Sequence, residues 1–97
     1  MATIPAVLHR LRRARRRERD AGSTGQFDEY RPAYEALLTA ASEHGGEAAL
    51  DDVSDWAIEW TKREKQRPPP ETFRSNVRRI LTSRGVEIPP DSPLAVD

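Results

Sequence analysis

Apolar residues fall at helical spacing in four stretches of the chain. In the first, Val7, Leu8, Leu11 and Ala14 share one face while arginine fills most other positions, which predicts a short amphipathic helix. Thr3 and Pro5 suit its start, because proline is well accommodated in an opening turn. The stripe is narrow and fades after Ala14. Residues 21–26, AGSTGQ, have the composition of a flexible linker.

In the second stretch Tyr30, Tyr34, Leu37, Leu38 and Ala41 make one face. Asp28 can cap this helix, with Glu29 favourable near the positive end of its dipole. Pro32 then belongs to the first turn, where its missing N–H is no loss, and Gly45 and Gly46 end the helix. The third stretch begins at a cap on Asp51 or Asp52. Its stripe Val53, Trp56, Ala57 and Trp60 follows the i, i+3, i+4, i+7 pattern, so both tryptophans are expected in the core. This helix must stop before Pro68.

The fourth stretch, RPPPETFRSNVRRILTSRG, holds a buried stripe of Phe73, Val77, Ile80 and Leu81. Pro70 and Glu71 sit in its first turn and Gly85 can terminate it. Beyond it VEIPPDSPLAVD reads as extended, although Val86 and Ile88 can pack back. No stretch reads as a hairpin and no repeat is present. The expected fold is all-α, a small bundle of about four helices. It comprises a basic helical arm over 1–20, a linker over 21–26, a helical domain over 27–88 and an extended proline-rich tail over 89–97.

Composition narrows the class. With 97 residues, 36% hydrophobic against 33% charged, the chain makes one domain with a thin core, and a homodimer sharing apolar surface suits it. The lack of cysteine excludes disulfides, thiolate metal sites and thiol nucleophiles. No apolar run approaches the roughly 20 residues that span a bilayer, and arginines follow the apolar IPAVL too closely for a signal peptide. A cytoplasmic protein without a membrane partner is expected.

Net charge is zero, yet the charges are segregated along the chain. Residues 1–20 carry seven arginines against two acids, net +5; residues 21–61 carry one arginine against nine acids, net −8. Residues 62–88 return to +5 and the last nine residues add −2. Such a chain should fold with a polarised surface. The densest feature is RLRRARRRER at 10–19, whose arginines would condense on a phosphate backbone. Within it Arg12, Arg13, Arg15, Arg16 and Arg17 are candidate nucleic-acid contacts.

The fourth helix adds a second candidate surface. With Phe73 at 0° on a helical wheel, its apolar residues span about −20° to 80°. Arg74 and Arg78 flank the stripe on one side, and Thr72, Ser75, Asn76, Arg79 and Ser83 line the rest. A face built for helix stability alone would favour Ala, Glu, Lys and Gln. The residues present are instead groups that reach phosphates and base edges. A helix ending near residue 65, a short proline turn and a polar second helix together resemble the helix-turn-helix class of DNA binders over roughly residues 50–85. The resemblance implies that Thr72, Arg74, Ser75, Asn76, Arg78 and Arg79 face a groove while the preceding helix crosses the backbone. There, Asp51, Asp52 and Asp55 would be repelled; alternatively those acids absorb the arginines.

Catalysis has little to work with. His9 lies beside arginines, and His44 with Glu43, Glu47 and Asp51 matches no metal-ligand spacing. No Ser/His/Asp grouping or glycine-rich phosphate loop occurs, so no enzyme, cofactor, metal or small-molecule substrate is expected. The reading is a small nucleic-acid-binding protein, DNA before RNA, of the kind that regulates transcription or assists it. The alternative is a non-enzymatic interaction module whose basic arm docks on an acidic surface, a sister subunit's −8 segment included.

Overall fold

A computed structural model of the chain describes residues 3–14 and 21–95, with the side chains of 21–26 excepted. Its described residues form three helices and a short 3-10 turn, without strands: α1 Ile4–Arg13, α2 Ala21–Glu64, α3 Pro70–Ser83, and the turn Pro93–Ala95. The protein is all-α, with one helix fewer than the pattern predicts.

α1 starts where Thr3 and Pro5 place it. Thr3 is extended and its hydroxyl accepts from the Ala6 N–H at 3.2 Å, which satisfies one of the free donors of the first turn. Val7, Leu8 and Leu11 are buried and the helix packs along α2. Over its described part, the expected arm is therefore a packed helix. Three apolar side chains on one narrow stripe suffice, since each contributes about 1.5–3 kcal/mol on burial.

The second and third expected helices run as one element. Straight, the 44 residues of α2 would reach about 66 Å at 1.5 Å per residue, whereas the whole molecule extends only 40 Å. α2 turns back at Gly46, whose φ of 73° and ψ of −169° are the non-helical values inside it. The glycine break was legible, but the flanking caps were not. Residues 21–26, expected as a linker, already belong to the helix, so Asp28 is no cap and Pro32 lies in the interior. Proline there removes the N–H partner of the Asp28 carbonyl; both residues are exposed, and water can take that carbonyl. Asp51 and Asp52 are likewise inside α2, because the helix resumes directly after Gly46 and buries Ala49 and Leu50.

Gly45 matters for a different reason. A Cβ on it would stand 2.5 Å from both Ala49 Cβ and Leu81 Cδ2, so its bare Cα is what lets α3 close against the bend. Tyr34 from the first half of α2 and Trp56 from the second meet at Phe73 of α3, with ring centroids 4.7 and 5.8 Å away. Trp56 and Trp60 are nevertheless only half-buried. The interior of this half is filled by Ala49, Leu50, Val53, Ala57 and Ile58, because neighbouring helices close in on the smaller residues and leave the bulky indoles at the edge.

α3 follows its prediction closely. Phe73, Val77, Ile80 and Leu81 are buried. Gly85, at φ 78°, ends it: the Val86 N–H reaches Leu81 O at 2.9 Å and the Gly85 N–H reaches Thr82 O at 3.0 Å. These are the two bonds of a left-handed helix stop with its apolar residue placed just beyond. The chain then returns to the core. Leu94 is fully buried, and the Pro93–Ala95 turn touches α2 and α3. Over 89–95 the expected extended tail is thus folded down, held by Leu94 and by the Ser92 hydroxyl, which accepts from the Leu94 N–H at 3.2 Å.

Candidate nucleic-acid interface

One buried arginine joins the two basic regions. Arg67, in the turn between α2 and α3, is 3% exposed. Its Nε donates to Leu11 O at 3.1 Å and its Nη2 to Arg12 O at 2.9 Å. Both acceptors are carbonyls at the end of α1, where helix carbonyls lack partners and the dipole favours a cation. The guanidinium carbon also lies 5.5 Å from the centre of the Phe27 ring, within cation–π range. Next to it Tyr34 donates its hydroxyl to Pro68 O at 2.6 Å, and burial pushes the phenol's pKa well above its ordinary value.

Because of Arg67, the last turn of α1, the end of α2 and the start of α3 lie at the same end of the bundle. Exposed there are Arg12 and Arg13 of α1, Lys62 and Arg63 of α2, and Lys65, which holds a left-handed φ of 58°. Arg15, Arg16 and Arg17 lie outside the described residues. Acids share this end: Glu64 pairs with Arg63 at 3.1 Å, and Asp28, Glu29 and Glu71 are exposed on the elements that meet here. A second acidic group lies at the other end. Glu43, Glu47, Asp51 and Asp52 lie within two turns of the Gly46 bend, and a cleft of about 620 Å³ lined by Glu35, Glu43, His44 and Asp91 among others opens beside α2.

This arrangement answers where the acids lie relative to α3. Asp52 takes Arg84, beyond the C-terminus of α3. Asp55 lies 3.5 Å from Arg10 of α1, whose Nη1 also donates to Ser54 Oγ at 2.6 Å. Arg84 stands ten residues after Arg74, about 15 Å along a helix. Asp52 therefore lies toward the far end of α3, whereas Asp55 sits against Arg10 in the last turn of α1, on the basic side.

On α3 the candidate residues are not equivalent. Arg74 is half-buried and makes no hydrogen bond or ion pair with another described residue. Ser75 is exposed and Thr72 half-buried. Asn76 donates to Thr72 O at 2.8 Å and accepts from Nε and Nη2 of Arg79 at 3.2 and 3.1 Å, so Asn76 and Arg79 form one preset unit. Arg78 is half-buried and already engaged. Sequence reasoning passed over Arg67; an arginine next to PPP, where a sharp turn brings elements together, was the available signal.

Among the described residues no cluster of His, Asp and Glu could hold a metal ion, and no helix is long and apolar enough to cross a membrane. Compared with protein-family models, curated proteins and solved structures, the chain matches none.

Proposed function

We propose that the protein binds nucleic acid, DNA before RNA, through the basic end of the bundle, as a transcriptional regulator or accessory factor. The second half of α2, the turn at 65–69 and α3 would act in the manner of a helix-turn-helix. Arg12, Arg13, Arg15, Arg16 and Arg17 grip the phosphate backbone. The first turns of α3 bring Thr72, Arg74 and Ser75 to the groove, and Asn76 orients Arg79 for a phosphate or base edge. The observation that carries the reading is the pair of bonds from Arg67 to the end of α1, which set two basic segments 50 residues apart in sequence at one end.

The test is anisotropy of a labelled duplex titrated with the protein. Arg12→Ala with Arg13→Ala, and separately Arg74→Ala with Arg79→Ala, are each expected to weaken binding at least several-fold. Unchanged affinity in both pairs would end this reading.

A second reading draws on the same polarity. Opposite charges at opposite ends suit a head-to-tail contact between copies, the basic end of one on the acidic end of the next. It requires self-association in sedimentation that salt dissolves, and no retention of DNA.

A further inference from the structure

Two helices of this protein end on a left-handed residue. Gly85 closes α3 at φ 78°, and Lys65 closes α2 at φ 58°, its N–H reaching Thr61 O at 2.9 Å. Both hold the position just past a helix where glycine is usual and asparagine the next choice, because a Cβ there crowds the backbone. Among the described residues Lys65 is the one non-glycine residue with a positive φ, and its side chain strains the turn. Glycine would turn the chain toward Arg67 without that strain, so the turn does not account for the lysine. A contact within the fold does not account for it either. Lys65 is exposed, and its ammonium makes no hydrogen bond or ion pair with another described residue. Strain kept at an exposed, unpartnered residue points to a role outside the fold.

We propose that Lys65 is a contact for a backbone phosphate of the bound duplex. The inference rests on the nucleic-acid reading above and adds to it a residue that the fold itself would replace. The charge around Lys65 suits an anion. Over residues 62–71 Lys62, Arg63, Lys65 and Arg67 stand against Glu64 and Glu71, net +2, and Glu64 is already taken by Arg63. Two residues after Lys65, Arg67 reaches Arg12 O at 2.9 Å, so the turn lies beside the last turn of α1, where Arg12 and Arg13 are exposed. An ammonium on a flexible stem meets phosphate as a point charge and needs no fixed geometry. Asparagine or glycine would relieve the strain but leave that charge out. Stability and binding therefore pull in opposite directions at this one position, as they do where a site is kept at the expense of the fold.

The experiment measures two quantities on the full chain: the melting temperature by circular dichroism, and the affinity for a labelled duplex by anisotropy across a salt series. Lys65→Asn should melt about 4 °C higher, because it relieves the left-handed strain. It should also bind the duplex more weakly, on the order of fivefold at 0.15 M salt, with the salt slope shallower by about 1, the effect of one lost phosphate contact. Lys65→Met keeps the strain and loses the charge; it should melt with the native chain and lose the same affinity. Lys65→Arg should bind as the native chain does. Native affinity and slope in Lys65→Asn or in Lys65→Met overturn the contact. If the native chain still binds the duplex with steep salt dependence in that case, the proposed function stands and only the role of Lys65 falls; if the native chain binds no duplex, both fall.

Discussion

Replacing Arg67 by alanine should unfasten α1. The side chain is 3% exposed and donates to two carbonyls, Leu11 O at 3.1 Å and Arg12 O at 2.9 Å. A hydrogen bond from a charged donor contributes about 1.5–3 kcal/mol, so two give about 3–6 kcal/mol. Those values are already net of desolvation. Since the substitution leaves two carbonyls unpaired but no buried charge, the lower end applies, a loss of about 3 kcal/mol. For a domain of this size each kcal/mol moves Tm by about 4–8 °C, so Arg67→Ala should melt about 12–24 °C lower. Urea denaturation followed by circular dichroism at 222 nm gives the free energy directly. Arg67→Met separates packing from hydrogen bonding. It keeps an aliphatic stem against Phe27 yet leaves both carbonyls unpaired, and should remain about 2 kcal/mol below the native protein on the cost of stranded acceptors. If Arg67→Met is as stable as the native chain, the bonds to α1 are not what holds this end together.

Other consequences follow from the packing. Gly45→Ala should cost about 1–3 kcal/mol, the usual penalty of overpacking, because its Cβ would meet Ala49 and Leu81 at 2.5 Å; equilibrium denaturation reads it. Removing residues 1–14 takes away Val7, Leu8 and Leu11, together worth about 5–9 kcal/mol. That equals most of the stability of a typical domain, so the truncated chain should lose its cooperative melting transition. Tyr34 makes stability fall at high pH. The unfolded phenol ionises near 10.0, while burial holds the folded one protonated to higher pH, so above pH 10 the unfolded state binds fewer protons and is favoured. Tyr34→Phe should lose that part of the alkaline slope, at a cost of about 1 kcal/mol near neutral pH for the bond to Pro68 O.

The elements whose ends are set by local chemistry were legible in the sequence. Thr3, Pro70 and Gly85 act on their own neighbours, and the stripes of α1 and α3 are narrow enough to have one reading. The misplaced features depend on partners far along the chain. Asp28, Asp51 and Asp52 look like caps only if nothing helical precedes them, and packing of the flanking turns overrides that signal. Trp56 and Trp60 fall on an apolar stripe, but their size against Ala49 and Ala57 sends them to the edge once other helices close in. Leu94 is an apolar residue among prolines whose burial needs α2 and α3 together. For the candidate site, the basic residues could be named from composition, whereas their meeting at one end depends on Arg67 reaching α1 across more than 50 positions.

The claim that the basic end of the bundle binds a phosphate backbone is most directly tested by the salt dependence of duplex affinity. If six cations among the arginines of α1, the 15–17 run and α3 each displace a counterion, log K falls against log salt with a slope of about −5. Arg12→Ala with Arg13→Ala should shallow that slope by about 2. A slope near zero, or one that the double substitution leaves unchanged, would contradict the account.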